Sequence, residues 1–348
     1  MLCVLAGEHV MNVKKNIFHL PLVSIIIPCY NAQRYLHDAL KSAENQTYRN
    51  IEIICINDGS QDGTGRILRV YQQQSKRNVI VADIDNSGVS IARNRGIEES
   101  RGEFLFFLDA DDCISKNCIE GLVSAYLAAG QECDIAYGCW TRYAEKLSKK
   151  LVPAIREEAF EAMNHYIFRD RPLVFTCYLY CGRLIRTKKL MFKRNIKYSE
   201  DNLFLWEYMC HVRQAAYVPM NVYYYRPNAL SVTSHVSWHL TDAVKSVQMA
   251  YYYMKKNGYV NRRKIIAYLY PRMMLSVAAG YAKNGKRDLY NLFIMTYPVR
   301  KKSVCLIGKK SCFLSLASLI MWINPEIYYY LARCFWVSEK AVNCLKRI

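Results

Sequence analysis

The stretch Phe104-Leu-Phe-Phe-Leu-Asp-Ala-Asp-Asp112 decides how the rest of the chain reads. A short unbroken apolar run that stops at a polar turn describes a strand covered on both faces, as in the middle of a parallel sheet. A helix would need a longer run with 3.6-residue spacing. The turn carries three carboxylates, Asp109, Asp111 and Asp112. A strand of this kind delivers its last polar residues to whatever lies beyond the sheet edge.

Toward the N-terminus the same pattern recurs. Val23-Ser-Ile-Ile-Ile-Pro28 reads as a buried strand, and Asn31 is expected to cap a helix running through Leu36, Ala39 and Leu40 to about Gln46. Ile51–Ile56 reads as a second strand that stops at Asn57-Asp58-Gly59-Ser60, with a helix near Gly65–Gln74. A third strand, Val79–Ala82, breaks at Asp85-Asn86-Ser87-Gly88 before a helix through Ile91, Ala92, Arg95 and Ile97. Past the acidic turn, a helix over about Asn117–Ala129 and a strand over Asp134–Gly138 continue the series. Short β-branched runs alternating with amphipathic stretches predict an α/β fold, a Rossmann-like and mostly parallel sheet with flanking helices.

Asp58, Asp85, Asp109, Asp111 and Asp112 all fall just after a strand, and open α/β sheets bind ligands in the crevice beyond those carboxyl ends. Taken singly, each Asp is accounted for equally well as a turn former or helix cap. Five at one edge argue for a shared cleft. Clustered carboxylates raise one another's pKa unless a cation joins them, and Asp-x-Asp offers hard oxygens to Mg²⁺ or Mn²⁺, ions that keep positions open for substrate phosphates. Other chemistries lack their signatures. No Gly-x-Gly-x-x-Gly follows the first strand, no P-loop sequence occurs, no Gly-x-Ser-x-Gly elbow is found, and Cys177 and Cys181 lack a second pair for zinc.

Composition bounds the setting. With 348 residues, 52% hydrophobic and 22% charged, the chain is a folded protein rather than a disordered one. Its 48 Lys+Arg exceed 29 Asp+Glu, giving net charge +19, but residues 1–120 hold 13 basic and 15 acidic side chains while residues 241–348 hold 19 basic and 4 acidic, net +15. The 14 scattered cysteines read as reduced thiols of a cytosolic protein. Residues 1–10 lack the basic start of a signal peptide, and Met11 is a second candidate start. The most apolar C-terminal run, Cys312–Ile323, falls short of the ~20 residues that span a bilayer. Phe313, Leu314, Trp322, Tyr328, Tyr329, Tyr330, Phe335 and Trp336, set among Lys and Arg, fit peripheral attachment to an anionic leaflet as well as they fit a buried helical hairpin.

Several motifs in fixed order resemble glycosyltransferase family 2 proteins of the GT-A fold. They are Val23-Ser-Ile-Ile-Ile-Pro-Cys-Tyr-Asn31, Ile56-Asn-Asp-Gly-Ser60 with Asp62-Gly-Thr64, Asn86-Ser-Gly-Val-Ser-Ile-Ala-Arg-Asn-Arg-Gly96 and Phe107-Leu-Asp-Ala-Asp-Asp112. Cys181-Gly-Arg-Leu-Ile-Arg186 and Tyr198-Ser-Glu-Asp-Asn-Leu-Phe204 resemble the family's acceptor-side motifs, and Tyr224-Tyr-Arg226 with Ser231-Val-Thr233 its closing segment. The resemblance implies that Pro28 and Tyr30 wall a base pocket with Asn31 beside them, that Asp58 meets the nucleobase edge, and that Arg93 and Arg226 lie at the diphosphate. It makes Asp109 and Asp111 the pair for Mn²⁺ or Mg²⁺, and Asp201 the general base. Arg183 stands where the family often has Lys, and a fork is not a point charge.

The expected organisation is an N-terminal extension over 1–20 and a transferase domain over 21–238. Its nucleotide half covers about 21–140 and its acceptor half about 141–238, and a helical, basic region follows over 239–348. The expected function is inverting, metal-dependent transfer of one sugar from a nucleotide-sugar, UDP fitting best with GDP and dTDP open, to a hydroxyl of a glycan or lipid-linked acceptor at the inner membrane face. The long hydrophobic helices and Gln-x-x-Arg-Trp motif of processive synthases are absent. A non-enzymatic membrane- or nucleic-acid-binding protein with a relic cleft is the alternative that the basic tail supports, although no nucleic-acid-binding motif is found. A nucleotidyltransferase is a third reading, weakened because Pro28-Cys-Tyr-Asn31 stands where its glycine-rich loop would be.

Overall fold

The computed structural model describes residues 20–227, 236–259, 262–306 and 312–334. Residues 1–19 with Met11, Ser231-Val-Thr233, Phe335 and Trp336, all singled out above, lie outside them. The chain separates into two compact units. The first takes the residues through Arg156 together with Thr176–Lys189 and Gln214–Arg226, and the second takes Glu157–Phe175, Leu190–Arg213 and the residues from Pro227 onward.

The first unit is built on a sheet. Its strands are β1 (Val23–Cys29), β2 (Ile51–Asp58), β3 (Asn78–Ile84), β4 (Phe104–Phe107), β5 (Cys113–Ile114), β6 (Cys133–Thr141), β7 (Ile155–Glu158), β8 (Tyr178–Cys181) and β9 (Gln214–Tyr224). The order is β3-β2-β1-β4-β8-β6-β9-β5, with β7 against β9. The pairs β1–β2, β1–β4, β2–β3 and β6–β9 are parallel, while β4–β8, β6–β8 and β5–β9 are antiparallel. The parallel half is therefore the one that the β-branched runs announce. β1, β2 and β4 are buried at every position, the polar Ser24 of β1 and Glu52 of β2 being paired with each other at 2.5 Å, while the edge strand β3 is partly exposed.

The helices in chain order are α1 (Leu36–Glu44), α2 (Thr64–Gln74), α3 (Val89–Glu99), α4 (Cys118–Ala128), α5 (Ala159–Phe168), α6 (Gly182–Lys188), α7 (Glu200–Met209), α8 (Asp242–Lys256), α9 (Arg262–Lys283), α10 (Arg287–Thr296), α11 (Val299–Ser303) and α12 (Cys312–Ile323). α1–α4 and α6 belong to the first unit and the rest to the second. α3 lies hard against β1: a Cβ on Gly96 would stand 2.3 Å from Ile26 Cγ2.

One expectation is corrected. Asn31 does not cap α1, which begins at Leu36 after Tyr35 with no side-chain cap. Asn31 instead takes a left-handed φ of 46°, and its Oδ1 accepts the Gln61 N–H at 2.9 Å. The short Asn side chain is drawn to the backbone of a neighbouring turn, a competition that Asn commonly enters. Of the residues over 141–238, β8 and β9 complete the first unit's sheet while α5 and α7 join the second unit.

The second unit is helical. Phe192 and Phe204 stack at 4.2 Å with Phe175 edge-on to both. α7 is buried from Leu203 to Met209, including Glu207, whose carboxylate meets Lys193 Nζ at 3.0 Å. The eleven cysteines with described side chains are free thiols. Among the described residues no helix is long and apolar enough to cross a membrane.

Candidate active site

The carboxyl ends of β1 and β2 are tied together before any ligand chemistry begins. Ala32 N–H donates to Thr64 Oγ1 at 2.8 Å, Asn31 N–H to Ser60 Oγ at 3.1 Å and Gln33 N–H to Asp62 Oδ2 at 3.1 Å. Asp62 Oδ1 also accepts Thr64 N–H at 3.0 Å. Although burial alone would raise it, these donors hold the Asp62 carboxyl below its usual range. Gly59 is required at this crossing, since its φ is +66° and a Cβ there would stand 2.6 Å from Asn86 N. Pro28 is buried in β1, and Tyr30, just past its end, is 51% exposed.

Asp58 ends β2 and reaches α3. Its two oxygens accept the N–H groups of Ser87 at 2.7 Å and Gly88 at 2.9 Å, at the positive end of that helix. One turn further along α3, Arg93 is buried and donates from Nη2 to Asp109 Oδ1 at 2.9 Å. The residue that the resemblance sets at the nucleobase edge thus also fixes the helix that delivers Arg93 to the acidic turn. Each oxygen of Asp58 retains a second lone pair for a ligand. Asp85, counted with these carboxylates from sequence, is exposed at the turn after β3.

The acidic turn is held from below by β9. Tyr223, fully buried, donates to Asp112 Oδ2 at 2.7 Å, and Asp112 Oδ1 accepts the Arg226 N–H at 2.7 Å. Burial first, then the charges of Asp109 and Asp111, push the Asp112 carboxyl up to about 8. Asp112 is therefore the buried brace of the turn. Asp109 and Asp111 remain partly accessible. Arg226, expected at the diphosphate, donates from Nε to Asp111 O at 2.9 Å and from Nη2 to Asp38 Oδ2 at 2.8 Å, with its guanidinium over the Tyr35 and Tyr224 rings at 5.0 and 5.5 Å.

Among the described residues no group of three or more His, Cys, Asp and Glu side chains is arranged to hold a metal. Asp109 and Asp111 nonetheless suit a hard divalent ion that is carried by one or two carboxylates and completed by substrate phosphate and water. The crowding of negative charge that raises Asp112 is the strain such a cation relieves.

Asp201, expected as the base, lies in the first turn of α7, in the second unit. Ser199 precedes it in the left-handed region (φ 69°) and makes no side-chain cap. Asp201 Oδ1 accepts Asn202 N–H at 2.7 Å and Asn202 Nδ2 at 2.8 Å, and Asn202 Oδ1 in turn accepts Tyr166 Oη–H at 2.5 Å. Arg186, within the motif expected to face the acceptor, instead clasps the loop before β4, donating to Ser100 O at 3.0 Å and Gly102 O at 3.1 Å. Arg183 is exposed.

Sequence reasoning did not single out Tyr223 or Asp38.

Comparison with known proteins places the chain among relatives of the same fold. Residues 24–191 match the glycosyl transferase family 2 model. EpsH of Bacillus subtilis (strain 168), named as a glycosyltransferase, is 27% identical over 322 residues, covering 86% of this chain and 92% of EpsH. The minor teichoic acid biosynthesis protein GgaA of the same organism is 29% identical over 215 residues, 59% of this chain and 47% of GgaA. Staphylococcus aureus TarS 1–349 in complex with UDP-GlcNAc superposes with TM-score 0.66 at 18% identity, covering 91% of this chain and 92% of that one. The mannosyltransferase PcManGT of Pyrobaculum calidifontis in complex with GDP-Man and Mn²⁺ gives 0.55 at 13% identity, covering 95% and 89%. The two structural likenesses establish a common fold.

Proposed function

We propose, from the premise that this chain belongs to glycosyl transferase family 2 through residues 24–191, that it moves one sugar from a nucleotide-sugar to an acceptor hydroxyl with inversion. The observation that carries the reading is the acidic turn at the end of β4, held by Tyr223 and Arg226 and met by Arg93 at Asp109. In this reading Pro28, Tyr30, Asn31 and Asp58 form the nucleotide side, and Arg93 faces the leaving diphosphate, whose developing charge a fixed guanidinium stabilises. Asp109 and Asp111 would hold Mn²⁺ or Mg²⁺. Such an ion, when bound, supplies Lewis-acid stabilisation of the departing nucleoside diphosphate. Asp201 takes the proton of the attacking hydroxyl, and a single carboxylate base implies one in-line displacement with no covalent sugar–enzyme intermediate.

UDP-sugars are the first donors to test, supported by the UDP-GlcNAc complex of TarS, and GDP-sugars the second, supported by the GDP-Man complex of PcManGT. A product in cell-surface polymer assembly is supported by the similarity to GgaA, a minor teichoic acid biosynthesis protein, and the cytoplasmic face of the membrane is the proposed place of its assembly. The deciding experiment incubates the purified chain with a panel of UDP-, GDP- and dTDP-sugars and Mn²⁺ and follows release of nucleoside diphosphate. Wild type is expected to turn over one donor class, while Asp111→Asn and Asp201→Asn retain the fold and lose activity. Full activity in both variants would sink the assignment.

A further inference from the structure

The second unit contains a cavity of about 220 Å³ that this mechanism does not use. Its walls are of two kinds. Ile167, Met273 and Leu314 lie on an apolar side, and Arg169 and Arg272 bring two guanidinium groups. Arg169 ends α5 in the left-handed region (φ 52°), and Arg272 Nη1 donates to the Ile167 carbonyl at 2.6 Å, which anchors it at the same helix end. Neither arginine has a carboxylate partner among the described residues. Burial first, then the nearby charge of Arg169, lowers the Arg272 guanidinium below its usual range. Trp206 also lines the cavity, 1% exposed, and its Nε1–H finds no acceptor among the described residues. Buried donors are rarely left so. Two cations beside an apolar wall call for an anion attached to hydrocarbon.

The same helix that walls the cavity is apolar on its outside. Leu314 and Ala317 of α12 face in, while Leu316, Trp322 and Ile323 are 57, 46 and 58% exposed. Leu316, Leu319 and Ile323 follow helical spacing on α12 and are exposed, and past the break at Asn324 Ile327 and Tyr330 are exposed on the next helical segment. Arg300, Lys301 and Lys302 of α11 are exposed beside them, and Arg300 Nε donates to the Trp322 carbonyl at 2.5 Å, so the cations border the stripe. At ~1.5 Å per residue α12 is too short to span a bilayer.

We propose that the cavity seats the phosphate head group of an anionic membrane lipid, with the outer stripe of α12 lying in the lipid interface. Its use, presenting a lipid-borne acceptor, rests on the transferase reading, but lipid binding is measured without any sugar transfer, so either can fail alone.

The test is co-flotation of the full chain with vesicles of phosphatidylcholine containing phosphatidylglycerol, and with phosphatidylcholine alone. Wild type is expected to float only with the anionic vesicles. Trp322→Ser/Ile323→Ser should lower partitioning about tenfold. Arg169→Gln/Arg272→Gln should lower it several-fold more than the charge-matched Lys255→Gln/Lys256→Gln. Equal losses in the two charge-matched variants would overturn the cavity assignment. If inorganic phosphate raises the melting temperature of wild type but not of Arg169→Gln/Arg272→Gln, and anionic vesicles float neither, the ligand is free phosphate and the lipid assignment falls. A dimer abolished by Trp322→Ser/Ile323→Ser, with no flotation, would make the stripe a contact between copies of this chain.

Discussion

The Tyr223 phenol donates to Asp112 Oδ2 at 2.7 Å and accepts the backbone N–H of Asp109 at 3.2 Å. One buried hydroxyl therefore fixes both ends of the acidic turn from a strand far along the chain.

Replacing Tyr223 by Phe removes that hydroxyl and leaves a buried carboxylate oxygen and a backbone donor short of partners. The expected cost is about 1–3 kcal/mol of stability. Loosening of Asp109 and Asp111 should lower transfer by about tenfold or more, since small misplacements of positioning groups carry such penalties. Chemical denaturation and nucleoside diphosphate release are the two measurements. A variant with unchanged turnover would show that the turn keeps its shape without β9.

Arg226 and Asp38 separate a surface ion pair from a buried junction. Asp38 is about half exposed, and an exposed pair contributes only ~0–1 kcal/mol. Arg226 also binds the Asp111 carbonyl and stacks on Tyr35 and Tyr224. Asp38→Asn should thus be nearly silent in thermal unfolding. Arg226→Gln, which loses the stacking and the fork, should lower both stability and activity, and Arg226→Lys should recover little of either. Equal effects of Asp38→Asn and Arg226→Gln would make the ion pair the whole of the contribution.

How much of this was legible in sequence depends on range. Phe104–Leu108 and the runs around Ile25 and Ile53 announce buried strands because burial on both faces leaves few polar positions, and the exceptions, Ser24 and Glu52, pair with each other. The ends of these strands are less legible. Asn57, Asp58 and Asp83 stay in the ladder, since pairing uses the backbone and tolerates polar side chains. Asp109, Asp111 and Arg93 were found together because local motifs carry them. Tyr223 and Asp38 were not, because their roles come from contacts across long separations that no spacing encodes. The same holds for Arg186, whose motif looked acceptor-facing and whose side chain instead holds Ser100 and Gly102.

Glu44 gives a pH dependence with a definite sign. Burial alone would raise its carboxyl, but hydrogen bonds from Ser75, Tyr71 and Lys76 N–H, and then the charge of Arg77, bring it below the usual value. A carboxylate whose folded pKa is depressed adds stability that is complete above its unfolded value of about 4.3 and is lost as pH falls through the folded value. Urea midpoints of wild type should exceed those of Glu44→Gln near neutral pH, and the gap should close below about pH 4. A gap independent of pH would mean that the contact acts through shape rather than charge.

Gly96 tests packing against propensity. In a helix interior, Gly→Ala ordinarily gains roughly 1 kcal/mol, so propensity alone predicts that Gly96→Ala stabilises α3. The new Cβ would stand 2.3 Å from Ile26 Cγ2, in the fully buried strand β1, and forcing volume into a packed core costs about 1–3 kcal/mol. Packing is expected to win, with a lower melting temperature in Gly96→Ala. Ile26→Ala removes the clashing methyl at a cost of its own, about 2–5 kcal/mol. In the double variant the methyl introduced on α3 occupies part of that space, so the combined loss should be smaller than the sum of the two single losses. Simple additivity in this cycle would show that α3 shifts away from β1 rather than pressing on Ile26.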